Sequence, residues 1–502
     1  MVKHLESQKL ECVTLSLVLV LFALFSWTSA NSERPESDEG GFQSPAYNLI
    51  NNGNFGTTVY EMQESGLTRI DQRTYWVMPM FLLNSALSFE LFGFSVTSMR
   101  LVSIFWGLVL LLSWFFILGA TTKNSVLSVV SVSFIGLSFP VLAVASIGRP
   151  DAMCAALGFA GIASYLMLHK KNHVVALLIA NTLVVFSGLT HFLGILGFAG
   201  LILVVFVYGR KEIGLQEFLF SVLPYLIGGA LFAYWVFQDY TAFYDQFIAN
   251  AAMHGRLEAF STPFSVLLNE FTLRYPRAFG LLDISPGHSG PVFLKALILL
   301  GYVIGTFATI VIPYLRKRFG IIIGIFLVYF ILLSLLDGQK LAAYLVYVVP
   351  FYSAFIGGFV YYLWNKTRFP RVLIAVAVIG FWGLNFGGIL LRARQNTMEN
   401  TYLPAVEYLN KNVSPGENVI GSPELRFALD NNIDHIADGE FGMRTGNRPT
   451  YIVLDPGVDD SFNDAKKYNP KFYYYLPKML EQNYTLVYKN EGFRIYKLKT
   501  AK

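Results

Sequence analysis

The sequence predicts an all-α polytopic membrane protein with a small α/β domain at its C-terminal end. Three observations lead there. Of 502 residues, 54% are hydrophobic and only 14% charged, where soluble domains carry about 25%. The apolar residues come in blocks, about eleven of which approach the roughly 20 residues that a helix needs to cross the hydrocarbon layer. After Arg394 the blocks stop and short strand and helix patterns replace them. The net charge of +5 is small for this length and gives no footprint for nucleic acid. Cys12 and Cys154 lie in or beside apolar blocks, which argues for small core residues and against a disulfide framework.

The apolar blocks lie near residues 12–30, 95–118, 125–147, 150–168, 173–189, 191–208, 215–237, 292–315, 319–336, 341–364 and 371–391. Lipid offers backbone N–H and C=O groups no partner, so each block should be a helix. Basic clusters occur at Lys3/Lys9, Lys123, Lys170/Lys171, Arg210/Lys211, Arg316/Lys317/Arg318 and Lys366/Arg368/Arg371. Counted along these spans they fall on one side, which places the N-terminus in the cytoplasm. The first block also has the basic start, apolar middle and small-residue end of a cleaved leader. Retained, it anchors the segment that follows.

Two long loops and the tail fall on the other side. In loop 31–94, "YWVMPMFLLNSALSFELFG" predicts a helix lying on the outer membrane surface. Loop 238–291 predicts one or two short amphipathic helices and holds His254 and His288 without metal-ligand spacing. The pattern divides the chain into a membrane domain, 1–391, and an extracytoplasmic α/β domain, 392–502. In the tail, "AVEYLNKN", "PELRFALDNN" and "KFYYYLPKMLEQN" read as helices, and "NVIGS" and "TYIVLD" as strands. "YTLVYKN" and "FRIYKLK" read as a terminal strand pair, and "DPGVDD" as a loop.

Three constellations carry chemistry. Asp38 and Glu39 are adjacent carboxylates early in the first outer loop; a carboxylate partly shielded from water there gains a raised pKa and can take a proton. "SIGRPDAM" puts Arg149, Pro150 and Asp151 at the outer end of a hairpin between spans, where ionisable residues are costly and usually paired or functional. "DGQKLAAYLVYVVP" puts Lys340 at an outer mouth, with Tyr344 and Tyr347 one and two turns below on the same helix. A lysine there is a compact phosphate binder. Arg100 opens the second span as a fourth candidate, and His191 opens the sixth. Each has a plainer reading as well: loop decoration, an Arg–Asp or capping contact, a snorkelling lysine with a tyrosine belt, an interfacial anchor, a packed histidine. There is no P-loop, no zinc signature and no GxGxxG after a strand.

Taken together, these pieces resemble the GT-C glycosyltransferases that use polyprenyl-phosphate sugars, the group of the protein O-mannosyltransferases and the lipid A aminoarabinose transferase. The resemblance covers about residues 10–395. It rests on Asp38–Glu39, the following "AYNLINNGNF", the apolar helix ending "FELFG", the "RPD" junction at Arg149–Asp151, and the late Lys340, Tyr344 and Pro350. Relatives often open the surface helix with two prolines; here only Pro79 is present. The resemblance implies an enzyme moving a monosaccharide from a polyprenyl-phosphate donor to a glycan, lipid or protein acceptor, with inversion. Asp38 would be the general base, and Glu39 and Asp151 would orient acceptor, sugar or loop. Arg100, Arg149, Lys340 and Tyr344 would bind the donor. No cofactor is required, and a divalent metal is left open. A prokaryotic inner membrane is expected, with the endoplasmic reticulum as the alternative. The main rival is a transporter or flippase for lipid-linked sugars, which calls for repeated halves or helices broken near mid-membrane; the sequence shows neither. A non-catalytic scaffold is the second rival.

Overall fold

The computed structural model describes residues 2–253, 256, 262–281 and 292–499. His254 and His288 lie outside these. Among the described residues, eight helices are long and apolar enough to cross a membrane, or nine if one bent pair counts as a span. The chain is a polytopic helical membrane protein, as expected, but with fewer full-length spans than eleven. Two expected spans fall short. The block at 191–208 becomes a 3-10 turn, Phe192–Gly194, running into the helix Ile195–Tyr208. The block at 341–364 starts as a 3-10 turn, Ala342–Tyr347, and becomes α-helical only at Val349, next to Pro350. Proline is welcome in a helix's first turn and disruptive further in, so the α-helix starts there.

The bent pair is Ser125–Gly136 followed by Phe139–Ala145, at 65°. Pro140 is the cause: an uninterrupted helix would drive its ring into the carbonyl one turn earlier. The N–H of Phe139 donates instead to Asn385 Oδ1, at 2.8 Å. This is a broken span or a re-entrant loop, a feature absent from the sequence reading.

The first helix, α1 (Val2–Ser32), leads through a short turn into α2 (Ser37–Asn52). The expected surface helix forms as Pro79–Phe92. Its Leu83, Leu87 and Leu91, four residues apart, make an exposed apolar stripe. Its other face holds α2: Phe42 lies stacked on Trp76 and edge-on to Phe81. Cys154 is buried as expected, but Cys12 is exposed on α1; both are free thiols.

The C-terminal unit is α/β. Its strands are β1 (Asn418–Ile420), β2 (Asp434–Ile436), β3 (Tyr451–Leu454), β4 (Tyr484–Lys489) and β5 (Arg494–Leu498). They form one sheet in the order β2-β1-β3-β5-β4. β1 runs parallel to β2 and β3; β5 runs antiparallel to β3 and β4. Two readings change here. "PELRFALDNN" contains only a 3-10 turn, Pro423–Phe427. "DPGVDD" is not a loop: it opens the helix Pro456–Tyr468, with Asp455 as N-cap accepting from the Gly457 N–H at 2.6 Å. A capping aspartate followed by proline is a helix start signal, and it outranks the polar composition that suggested a loop.

Candidate functional site

The site is built on the first turn of α2. Asp38 and Glu39 both lie in that turn, where the helix dipole favours negative charge. Glu39 Oε2 accepts from the backbone N–H of Glu36, the reciprocal bond of a capping box. Its larger partner is Arg100. The guanidinium grips both carboxylate oxygens, Nε to Oε1 at 2.7 Å and Nη2 to Oε2 at 2.6 Å. Its other donors meet the carbonyls of Ala30 (2.5 Å), Glu33 (2.7 Å) and Arg34 (3.1 Å). An arginine has five N–H donors, and all are spent. Arg100 is therefore not a cation offered to a ligand at an interface; it is a buried tie between α1, α2 and the helix Val96–Thr122.

Glu39 is fully buried as well. Burial works against its charge. Arg100 and the backbone N–H groups of Glu36 and Gly148 outweigh burial and hold the carboxyl below its ordinary range. The Gly148 bond is 2.6 Å long. A Cβ at Gly148 would sit 2.9 Å from Met99 Cγ and 3.0 Å from Glu39 Oε1, so only glycine lets that segment come so close. Glu39 thereby positions the next three residues, Arg149, Pro150 and Asp151.

Asp38 points the other way. Its side chain is 51% exposed and is paired with Arg149 Nη1. Arg149 also donates from Nε to Asp151 Oδ2, at 2.9 Å. One guanidinium thus joins an open carboxylate to a fully buried one. The other oxygen, Asp151 Oδ1, is buried without a hydrogen-bond partner. Close by, the Leu193 N–H donates to His191 Nδ1 at 3.3 Å, and His191 Nε2 lies 3.3 Å from Tyr344 Oη. Nδ1 is thus an acceptor, which assigns the ring proton of a neutral imidazole to Nε2. Tyr344 then accepts from His191 and keeps its own O–H to donate. Arg256 lies near enough to act electrostatically on both His191 and Tyr344. Glu36, at the mouth, is exposed to solvent; crowding by the surrounding chain, then the charge of Glu39, push its carboxyl above its ordinary range.

Lys340 does not stand above Tyr344 on one helix. It sits at φ +58°, before the 3-10 turn. Its Nζ donates to Glu270 Oε1 and to the Ser334 carbonyl, each at 2.7 Å. Arg274 grips the same carboxylate and pairs with Asp337 Oδ2 at 2.9 Å. All four side chains are buried. Two cations and two carboxylates neutralise one another in a closed set, which fixes the segment around Glu270 against the turn leading to Tyr344.

The C-terminal unit closes over α2. A Cβ on Gly40 would fall 2.2 Å from the backbone nitrogen of Glu424, so the two backbones touch. Arg34 bridges to Glu424 at 3.9 Å and to Asp455 at 3.8 Å. Both acids are buried. Burial, then the neighbouring Asp455, push Glu424 up to about 8; burial raises Asp455 too.

Among the described residues, no group of three or more His, Cys, Asp or Glu side chains is placed to hold a metal. Asp38 and Asp151 share Arg149, whose charge stands where a divalent ion would have to sit, so these residues do not fit one. Of the expected residues, Asp38, Arg149, Asp151 and Tyr344 gather at one place. Glu39 and Arg100 lie behind them as a lock, and Lys340 belongs to another network. Arg256 was missed, and His191 was read as a packed residue. Arg256 stands in a polar loop with no spacing signal, and only the fold brings it near Tyr344.

No family model matches the sequence, and no curated protein does. Solved structures do match its fold. ArnT from Cupriavidus metallidurans, bound to undecaprenyl phosphate, superposes with a TM-score of 0.54 at 15% identity, over 96% of this chain and 97% of that one. The archaeal oligosaccharyltransferase AglB from Archaeoglobus fulgidus, in complex with an inhibitory peptide and a dolichol-phosphate, gives 0.52 at 13% identity, over 97% of this chain and 74% of that one. The chain therefore has the GT-C fold.

Proposed function

We propose that this protein is a membrane glycosyltransferase that moves a monosaccharide from a polyprenyl-phosphate donor to an acceptor outside the cytoplasm. The observation that carries the reading is the asymmetric pair on Arg149: Asp38, open to solvent, and Asp151, buried with one oxygen unpartnered. The two structures of like fold that hold undecaprenyl phosphate and a dolichol-phosphate support the donor class.

In this reading the acceptor O–H or N–H approaches Asp38. The acceptor atom attacks the anomeric carbon from the face opposite the phosphate, and Asp38 takes its proton. The bond from the anomeric carbon to the phosphate oxygen breaks, and the polyprenyl phosphate leaves with the electron pair. Configuration at that carbon inverts. Arg149 and Arg256 offset charge developing on the leaving phosphate, and Tyr344 donates to it. Asp151 Oδ1 accepts from a hydroxyl of the donor sugar. Glu39, Arg100 and Lys340 act through the backbone they hold. The basic clusters between spans support an N-terminus inside and a C-terminal unit outside. The bent helix pair, if it is a broken span, favours a second reading, a transporter for lipid-linked sugars.

The test uses purified full-length protein, radiolabelled polyprenyl-phosphate sugars and the Asp38→Asn variant. Wild type should consume one donor. Asp38→Asn should fold and insert normally and lose transfer by about 100-fold or more, the usual worth of a general base. Near-normal consumption by Asp38→Asn removes Asp38 from the role. Binding without consumption, with uptake of labelled lipid across vesicles, favours the transporter.

A further inference from the structure

A cavity lies beside the site, between α2 and the C-terminal unit. Its volume is about 400 Å³, and its exposed lining is mainly polar. That is at the small end of the roughly 300–1,000 Å³ usual for ligand clefts. Gln43 and Tyr47 line it from α2; Arg426, Asn431, Asp434 and His435 line it from the C-terminal unit. Gln43 is 1% exposed, and its side-chain Nε2 is buried with no hydrogen-bond partner. A buried amide donor left unsatisfied costs stability, and a turn of the Gln43 amide toward the cavity would let a ligand oxygen satisfy it.

The charges select the ligand. Arg426 spends three of its five donors on its own loop: Nη1 on the carbonyls of Ile433 (3.2 Å) and Asp430 (3.5 Å) and Nη2 on Asn431 Oδ1 (2.8 Å). Nε and one Nη2 N–H are left over, and both can donate to hydroxyl oxygens. Burial, then the charge of Arg426, push His435 down to about 4, so its ring is neutral at ordinary pH. Asp434 balances Arg426 in sign. What remains are side-chain amides, a phenol and an imidazole, which both donate and accept. Tyr47 adds a ring, held edge-on to Phe94. Paired donors and acceptors beside an aromatic ring suit a neutral chain of hydroxyl groups with C–H faces.

Position selects its part in the reaction. Gln43 and Tyr47 stand five and nine residues past Asp38 on one helix, roughly 8–14 Å along the axis at 1.5 Å per residue. The reacting atom cannot be in this cavity. A remote part of the same molecule can be, and remote binding energy is what holds an acceptor in register with a base.

We infer that the cavity between α2 and the C-terminal unit is an acceptor subsite for a neutral glycan segment a few sugar units from the atom that is glycosylated. This rests on the transferase reading above, and the experiment separates the two. Full-length protein in lipid nanodiscs is titrated with neutral oligosaccharides from disaccharides upward, and the same samples are given radiolabelled polyprenyl-phosphate sugars. Wild type should bind at least one oligosaccharide. Gln43→Leu and, on the exposed loop, Asn431→Ala should each weaken it by about tenfold. Lys411→Ala, at an exposed ion pair outside the cavity lining, should not. Asn431→Ala keeps the test valid if Gln43→Leu fails to fold. Donor consumption with no oligosaccharide binding, or with binding that both cavity variants leave unchanged, overturns the subsite and keeps the transferase. Binding lost in the cavity variants without any donor consumption keeps a glycan site and overturns the transferase.

Discussion

Asp38 and Glu39 are neighbours in the chain and opposites in environment. Glu39→Gln should strip the charge that neutralises Arg100 in a buried place. Breaking such a pair costs about 3–5 kcal/mol, which thermal melting in detergent would show as a large loss; an unchanged melting point would mean that the pair is dispensable. Asp38→Asn touches a half-exposed group and should melt close to wild type. Gly148→Ala should act between these two. Its added methyl presses on Glu39 Oε1, so the expected result is a partial loss of turnover with modest loss of stability. A wild-type rate would show that the segment holding Arg149 has slack. The sequence exposed the acidic pair and the "RPD" junction because each is a local string. It could not tell which carboxylate was buried, nor that Arg100 spends every donor inside the protein, since those facts depend on segments 61 and 109 residues away from Glu39.

Elements come next in scale. The C-terminal unit touches α2 backbone to backbone at Gly40. Gly40→Ala would put a methyl 2.2 Å from Glu424 N, against backbone that cannot rotate away. The unit should lift, and limited proteolysis should cut within it faster than in wild type; equal rates would mean that the contact is not what holds it. Most long helices were legible from apolar run length. Three of the places that went wrong are where proline set a local start or a bend: Pro350 delays its helix, Pro140 bends one helix pair, and Pro456 begins a helix inside a polar string. Strand β2 was missed because three residues of mixed polarity carry no period.

At the scale of the whole molecule, attachment of the C-terminal unit should depend on pH. Glu424 titrates near 8 in the folded protein against an ordinary 4.5. The folded state therefore binds a proton more tightly than the unfolded chain between those values. Stability must fall as pH rises from about 4.5 through 8, and is fully present below that window. The swing is on the order of a few kcal/mol. Melting should be higher at pH 6 than at pH 8.5, and Glu424→Gln should flatten the slope; a wild-type slope of the opposite sign would contradict this assignment. None of this could be read from sequence, because Arg34, Glu424 and Asp455 belong to regions that only the complete fold brings together.

The Arg100 tie also has a meaning in time. Glu39 leaves the ribosome 61 residues ahead of Arg100, roughly 3–12 s at 5–20 residues per second. The carboxylate is already made when the guanidinium reaches the edge of the bilayer. An arginine there without a counter-charge is expensive to place. A chain lacking Glu39 would meet that expense while its second span was still being inserted, so the earliest defect would be in biogenesis: misoriented or degraded nascent chains before any folded protein accumulates.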